Sequence, residues 1–167
     1  MPASAHHHPG LRVSDIERAA QFYIDAFEGH YVVCPFAIKG DFAEVVMDGP
    51  PGVSFKVAMV GFAHGCVELF EFIEPVNPIE PVHPTRGNII HFGVQVDNVA
   101  ETLGRVEAAG GRRLWPEINP WGSANVIYVT DPDQNILEVT NASMQEIIRL
   151  TLEAYPAADP ANQEARA

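Results

Sequence analysis

Basic residues are scarce in this chain of 167: Lys and Arg number 10 against 22 Asp and Glu, a formal net charge of −12. A surface that acidic offers no electrostatic footprint for nucleic acid or for an anionic membrane, and neither is expected as a partner. It also disfavours a highly anionic substrate unless arginines are concentrated locally. Cysteine is nearly absent. Cys34 and Cys66 are too few for a disulfide framework and lack Cys-x-x-Cys spacing, so both read as small core residues in a reducing cytoplasm. No apolar run approaches the roughly 18–20 residues that cross a bilayer. The N-terminus lacks the basic, apolar, small-residue order of a secretory signal, so the expected location is cytoplasmic. What remains, 47% hydrophobic and 19% charged, is ordinary globular composition for one domain or two half-domains sharing a core.

The chain repeats itself. His8-Pro-Gly-Leu-Arg-Val-Ser-Asp15 is echoed by His91-Phe-Gly-Val-Gln-Val-Asp97, and an amphipathic helix pattern follows each. Each module later places a glutamate inside an apolar run, in Cys66-Val-Glu68-Leu-Phe70 and in Ile136-Leu-Glu138-Val-Thr140. After the strand-like residues 8–13, Ser14-x-x-Glu17 has the form of a capping box. Ile16, Ala19, Ala20, Tyr23, Ala26 and Phe27 then recur at helical spacing, and Glu28-Gly29 ends the helix. Apolar segments near 30–37, 42–48, 53–61 and 66–73, separated by turn signals, complete a β-α-β-β-β order.

Pro75, Pro78, Pro81 and Pro84 make 75–87 an extended linker between modules, because proline at that density cannot pair inside a sheet. The first module thus spans 6–74 and the second 88–142. In the second, residues 88–96 form a strand and Asn98-Val-Ala-Glu101 starts a helix whose stripe is Val99, Leu103 and Val106. Strands are expected near 113–115, 124–129 and 136–140, with Asp131–Asn135 as the last hairpin turn. Ser143 caps a C-terminal helix over 143–155 with Met144, Ile148, Thr151, Leu152 and Tyr155 as its stripe. The tail 156–167, rich in Ala and Pro, is expected to be disordered.

Two histidines and two glutamates at matching points of a duplication are what a pseudo-symmetric metal site requires. Imidazole and carboxylate together suit one divalent ion per site, Zn, Ni, Co, Mn or Fe. Taken singly, each has an ordinary explanation: a histidine beside an apolar strand is usually structural, and alternation can turn Glu68 or Glu138 to water. Four residues in register across a repeat are a different matter. His8, Glu68, His91 and Glu138 are therefore the candidate ligands. The glutamates lie 60 and 47 residues after their histidines, the extra length falling in the Pro/Gly-rich hairpins of the first module. His7 is left out of the set because it alternates to the opposite face from His8.

These motifs, with Phe22-Tyr23, Ala108-Ala-Gly-Gly111 and Asp131-Pro-Asp-x-Asn135, resemble the vicinal oxygen chelate superfamily over residues 8–141. That superfamily includes glyoxalase I, methylmalonyl-CoA epimerase, extradiol dioxygenases, and fosfomycin- and bleomycin-resistance proteins. The resemblance implies an α+β fold of two paired βαβββ modules forming an open, curved mixed sheet around a metal, commonly in a homodimer. The His, Glu, His, Glu set is similar to that of glyoxalase I. Extradiol dioxygenases and fosfomycin-resistance enzymes resemble a three-ligand pattern, and bleomycin-binding proteins lack the metal.

A second carboxylate serves proton transfer. A substrate with adjacent oxygens chelates the ion, the neighbouring C–H becomes acidic, and Glu68 and Glu138 act as the acid/base pair through an enediolate. The expected activity is therefore isomerisation or epimerisation next to a carbonyl of a small polar substrate: a hydroxyketone, cyclitol ketone, keto-sugar or acyl-CoA. A lactoylglutathione lyase of the glyoxalase I type is the alternative enzyme, and a non-catalytic drug- or metabolite-binding protein the alternative outside catalysis. Arg12, four residues after His8, is where glyoxalase I has an arginine for glutathione. The stretch Leu69-Phe-Glu-Phe72, however, replaces that family's Thr-His-Asn continuation. Arg12 and Arg86 are accordingly assigned to a hydroxyl, carboxylate or phosphate of a smaller substrate, with Trp121 and Tyr128 as pocket walls.

Overall fold

Two sheets and four α-helices make up the described residues, 6–80 and 89–160 of a computed structural model. The first module runs β1 (Gly10–Arg12), α1 (Ile16–Phe27), β2 (His30–Ile38), α2 (Asp41–Met47), β3 (Ser54–Gly61) and β4 (Cys66–Glu74). Its sheet has the order β1-β4-β3-β2, with β1 parallel to β4 and the remaining pairs antiparallel. The second runs β5 (Phe92–Gln95), α3 (Val99–Ala108), β6 (Arg112–Arg113), β7 (Asn119–Trp121), β8 (Ala124–Thr130) and β9 (Ile136–Thr140). Its order is β5-β9-β8-β6, again with the first strand parallel to the last, and β7 also pairs with β8. Helix α4 (Met144–Ala154) and a 3-10 turn at Pro156–Ala158 follow. This is an α+β fold of two βαβββ units, each sheet left open.

Period-two alternation divides each sheet into two faces. Ala58, Val60, Val67 and Leu69 of the first sheet, with Ile127, Val129, Leu137 and Val139 of the second, join the buried faces of α1 and α3 in one core. The opposite face of the first sheet is covered by α2, where Ala43 and Met47 pack on Phe55, Val57, Phe70 and Phe72. The opposite face of the second is covered by α4, with Ile147 and Leu150 against Ala124 and Val126.

Four local expectations need correction. Residues 41–47 form a helix instead of a strand: Ala43 and Met47 stand four apart on one face, and the backbone enters through Gly40 at φ 76°. The N-cap of α1 is Asp15, which accepts from the Arg18 amide at 2.9 Å, because Ser14 is drawn to Asp133 of the other module. Helix α4 buries Leu150, with Ile147 beside it, and leaves Met144, Ile148 and Tyr155 exposed. Cys34 is exposed on β2 and is no core residue.

The Asp131 turn fastens the modules together. Asp131 accepts from the Asp133 and Asn135 amides, the Asn135 side chain and the Tyr23 hydroxyl, all within 3.0 Å. Asp133 accepts from the Ser14 amide at 3.2 Å and from Arg18 at 2.9 Å. Burial outweighs those donors at Asp131 and raises its carboxyl above the usual aspartate value of 3.8. A raised folded-state value means the ionised form is the less favoured one in the native protein. The group's contribution to stability is thus greatest below 3.8 and is lost as pH rises toward the folded value. Asp131→Asn removes the charge and keeps Oδ1 for the Asp133 and Asn135 amides, at the loss of the acceptor that Oδ2 offers Asn135 Nδ2; its stability relative to wild type should rise as pH goes from 4 to 7. Urea midpoints at several pH values measure that difference.

Candidate metal centre

The first strand of each module sits at the free edge of its sheet and runs parallel to the strand that carries the glutamate. Gly10 lies opposite Glu68, and Gly93 opposite Glu138. His8 and His91 each stand two residues before those glycines, so both histidine–glutamate pairs arise from one register. His8 Nε2 lies 2.9 Å from Glu68 Oε2, and His91 Nε2 lies 3.3 Å from Glu138 Oε2. All four side chains are between one fifth and one third exposed. Alternation puts the glutamates on the face away from α1 and α3, and both remain reachable from solvent.

These spacings fit a metal. Two donors each about 2.1 Å from one ion lie roughly 3.0–3.4 Å apart in octahedral or tetrahedral geometry. His91 Nδ1 is buried with no hydrogen-bond partner among the described residues, whereas the His7 ring packs edge-on against His8 at 4.7 Å. Strict alternation would turn His7 to the opposite face from His8, yet its Nδ1 lies beside His8 Nδ1. Among the described residues, no three His, Cys, Asp or Glu side chains converge on a point where they could hold one ion. Each module therefore presents one His–Glu pair, and the two pairs do not converge among the described residues.

The two halves have different surroundings. Tyr128 on β8 lies opposite Glu138 and donates its hydroxyl to Glu138 Oε2 at 2.6 Å. The same ring is edge-on to His91 at 5.0 Å and tilted against Trp115 at 4.7 Å. Burial, followed by the hydrogen bond and charge of Glu138, pushes the phenol above its usual 10, so it stays a donor. In the first module the position opposite Glu68 is Met59, which has no donor to offer. Trp115 was not anticipated; its place beside Tyr128 is set by the loop after β6.

Arg12 shares the face of His8 and Glu68. Its guanidinium lies 5.6 Å from the centre of the Phe72 ring and donates to the Asn77 carbonyl. Gln95 occupies the equivalent position in the second module, opposite Thr140 as Arg12 is opposite Phe70. Trp121 pairs with Ala124 and packs toward Leu150, four residues along β8 from Tyr128 or about 13 Å. Arg86 lies outside the described residues. Glu71, the near neighbour of Glu68, faces α1, where it accepts from the Ile16 amide at 3.0 Å and meets Lys56 at 3.1 Å.

The profile of the Glyoxalase/Bleomycin resistance protein/Dioxygenase superfamily matches residues 5–139. The chain belongs to that superfamily. A glyoxalase family protein from Bacillus cereus shares the fold with a TM-score of 0.73 at 13% identity, covering 84% of this chain and 95% of that one. Fosfomycin resistance protein FosX from Mesorhizobium loti aligns with a TM-score of 0.56 at 15% identity, over 89% of this chain and 99% of the other. FosX from Listeria monocytogenes, in complex with Mn(II) and 1S,2S-dihydroxypropylphosphonic acid, gives 0.58 at 18% identity over 92% and 99%. No curated protein sequence matches the chain. Superfamily membership thus accounts for the paired modules, while identities this low carry the fold alone.

Proposed function

We propose that this superfamily member is a divalent-metal-dependent isomerase or epimerase. It would move a proton at the carbon next to a carbonyl of a small substrate with two adjacent oxygens, such as a hydroxyketone, a cyclitol ketone, a keto-sugar or an acyl-CoA. The observation that carries this reading is the repeated His–Glu pair, His8 with Glu68 and His91 with Glu138, in the same strand register in both modules. These four residues would hold the ion, which supplies the positive charge that acidifies the C–H and stabilises charge developing on the carbonyl oxygen. One glutamate takes the proton, and it or its mate returns it to the same or the adjacent carbon. Arg12, braced on Phe72, orients a hydroxyl or acidic group of the substrate.

The functional unit in this reading is a homodimer. The two pairs do not meet within the described chain, and both lie at open sheet edges, so the first module of one copy faces the second module of the other. Phe42 and Val45 on α2 and Ile89 and Ile90 beside His91 are exposed apolar side chains that such a contact would cover.

Solvent deuterium exchange into candidate α-hydroxyketones tests the chemistry. Wild type with metal should exchange the α-hydrogen. Glu68→Gln and Glu138→Gln should each slow exchange by about 100-fold or more, the usual scale of a lost acid/base group. Exchange unaltered in both would overturn the mechanism, and turnover of methylglyoxal with glutathione would move the assignment to the lyase.

A further inference from the structure

The duplication is broken at one position that matters. Across the sheet from Glu68 stands Met59, and across from Glu138 stands Tyr128. We infer that Tyr128 is a positioning residue that fixes Glu138 as the permanent carboxylate ligand, leaving Glu68 as the glutamate free to move. This assignment rests on the four-residue site proposed above and gives its two glutamates different duties.

The geometry is specific. The Tyr128 hydroxyl is 2.6 Å from Glu138 Oε2, and its ring is held between His91 and Trp115 at centroid distances of 5.0 and 4.7 Å. Glu138 is thereby tied to a side chain that is itself clamped, and the same ring buttresses His91. Both second-module ligands are oriented by one residue. Tyr128 and His91 meet the same carboxylate oxygen, Oε2, and a carboxylate already held in this way loses fewer rotamers when it binds an ion; outer partners of a ligand typically contribute 10–100-fold to metal affinity. Among the described residues the Glu68 side chain has His8 alone, since the Met59 thioether is at best a weak acceptor. With Glu138 braced and Glu68 not, Glu68 would be the carboxylate that gives way to a chelating substrate and accepts the proton.

The test is Mn(II) titration of the metal-free full chain by calorimetry, with Mn(II) electron paramagnetic resonance spectra of the loaded forms. Tyr128→Phe keeps the ring and removes only the hydroxyl. It should bind Mn(II) at least about tenfold more weakly and change the spectrum, while Met59→Leu alters neither. Glu138→Gln should cost more affinity than Glu68→Gln by a similar factor. In the double variant Met59→Tyr/Tyr128→Phe the brace changes sides, and the order of the two glutamate effects should reverse, which a merely structural role for Tyr128 would not produce. Wild-type affinity and spectrum in Tyr128→Phe would overturn the assignment, as would equal losses for the two glutamates. A wild-type chain that bound no Mn(II), Zn(II), Ni(II), Co(II) or Fe(II) would instead remove the site itself and the assignment with it.

Discussion

His8→Ala and His91→Ala should each lose metal affinity by at least about 100-fold, and an equimolar mixture of the two, refolded together, should recover about a quarter of the sites. The first figure follows because a direct ligand matters more than an outer partner, whose removal costs 10–100-fold. The second follows from symmetry. In a two-fold dimer whose sites join the first module of one copy to the second module of the other, random pairing makes half of the dimers mixed. A mixed dimer has one site with both mutations and one with neither, so about one site in four is intact. Inductively coupled plasma mass spectrometry after gel filtration counts the bound ions. Recovery of none would place each site within one chain, and full metal content in either single variant would remove that histidine from the ligand set. The prediction is sharp because the two His–Glu pairs stay apart among the described residues although each pair is already closed to 2.9 or 3.3 Å.

That separation was not legible in the sequence. The repeat gave the paired modules and the matching positions of the two histidines and two glutamates, since His-x-Gly and the later glutamate recur in both halves, whereas the parallel pairing of first and last strands came from the structure. How one module turns against the other depends on long-range contacts such as Tyr23 to Asp131 and Ser14 to Asp133. The same contacts explain the misplaced cap: Ser14-x-x-Glu17 satisfies the local rule, but Ser14 is taken by a residue 119 positions away and Asp15 serves instead. In α4 the apolar residues allow two stripes. Docking through Ser123 to Glu146, whose carboxyl is held down at about 2 by Arg149 first and Ser123 second, accompanies the face bearing Ile147 and Leu150. Tyr128 could be picked out as an aromatic near the last hairpin, yet its role required the β8–β9 register that sets it against Glu138.

The Gly110-Gly111 pair that ends α3 leads to the largest expected effect on stability. Gly111→Ala should destabilise the protein by about 3 kcal/mol, lowering the melting midpoint by roughly 6–12 °C at this chain length. A Cβ on Gly111 would lie 2.5 Å from the Thr130 carbonyl oxygen, 2.8 Å from the Phe22 ring and 2.8 Å from Val106. None of these neighbours has room to move. The Thr130 carbonyl belongs to β8 at its pairing with β6, Phe22 is buried in the shared core, and Val106 is fixed by the Gly111 amide bonding to its carbonyl at 2.9 Å. Gly104, inside α3, supplies the control, since a Cβ there meets nothing within 4 Å. Gly104→Ala should raise stability by about 0.5–1 kcal/mol, through the backbone entropy that glycine loses on entering a helix. Differential scanning calorimetry of the two variants separates steric exclusion from helix propensity, because the same chemical change then moves the midpoint in opposite directions. If both variants moved it downward by similar amounts, the close approach of α3 to β8 and α1 would not be what requires glycine at 111.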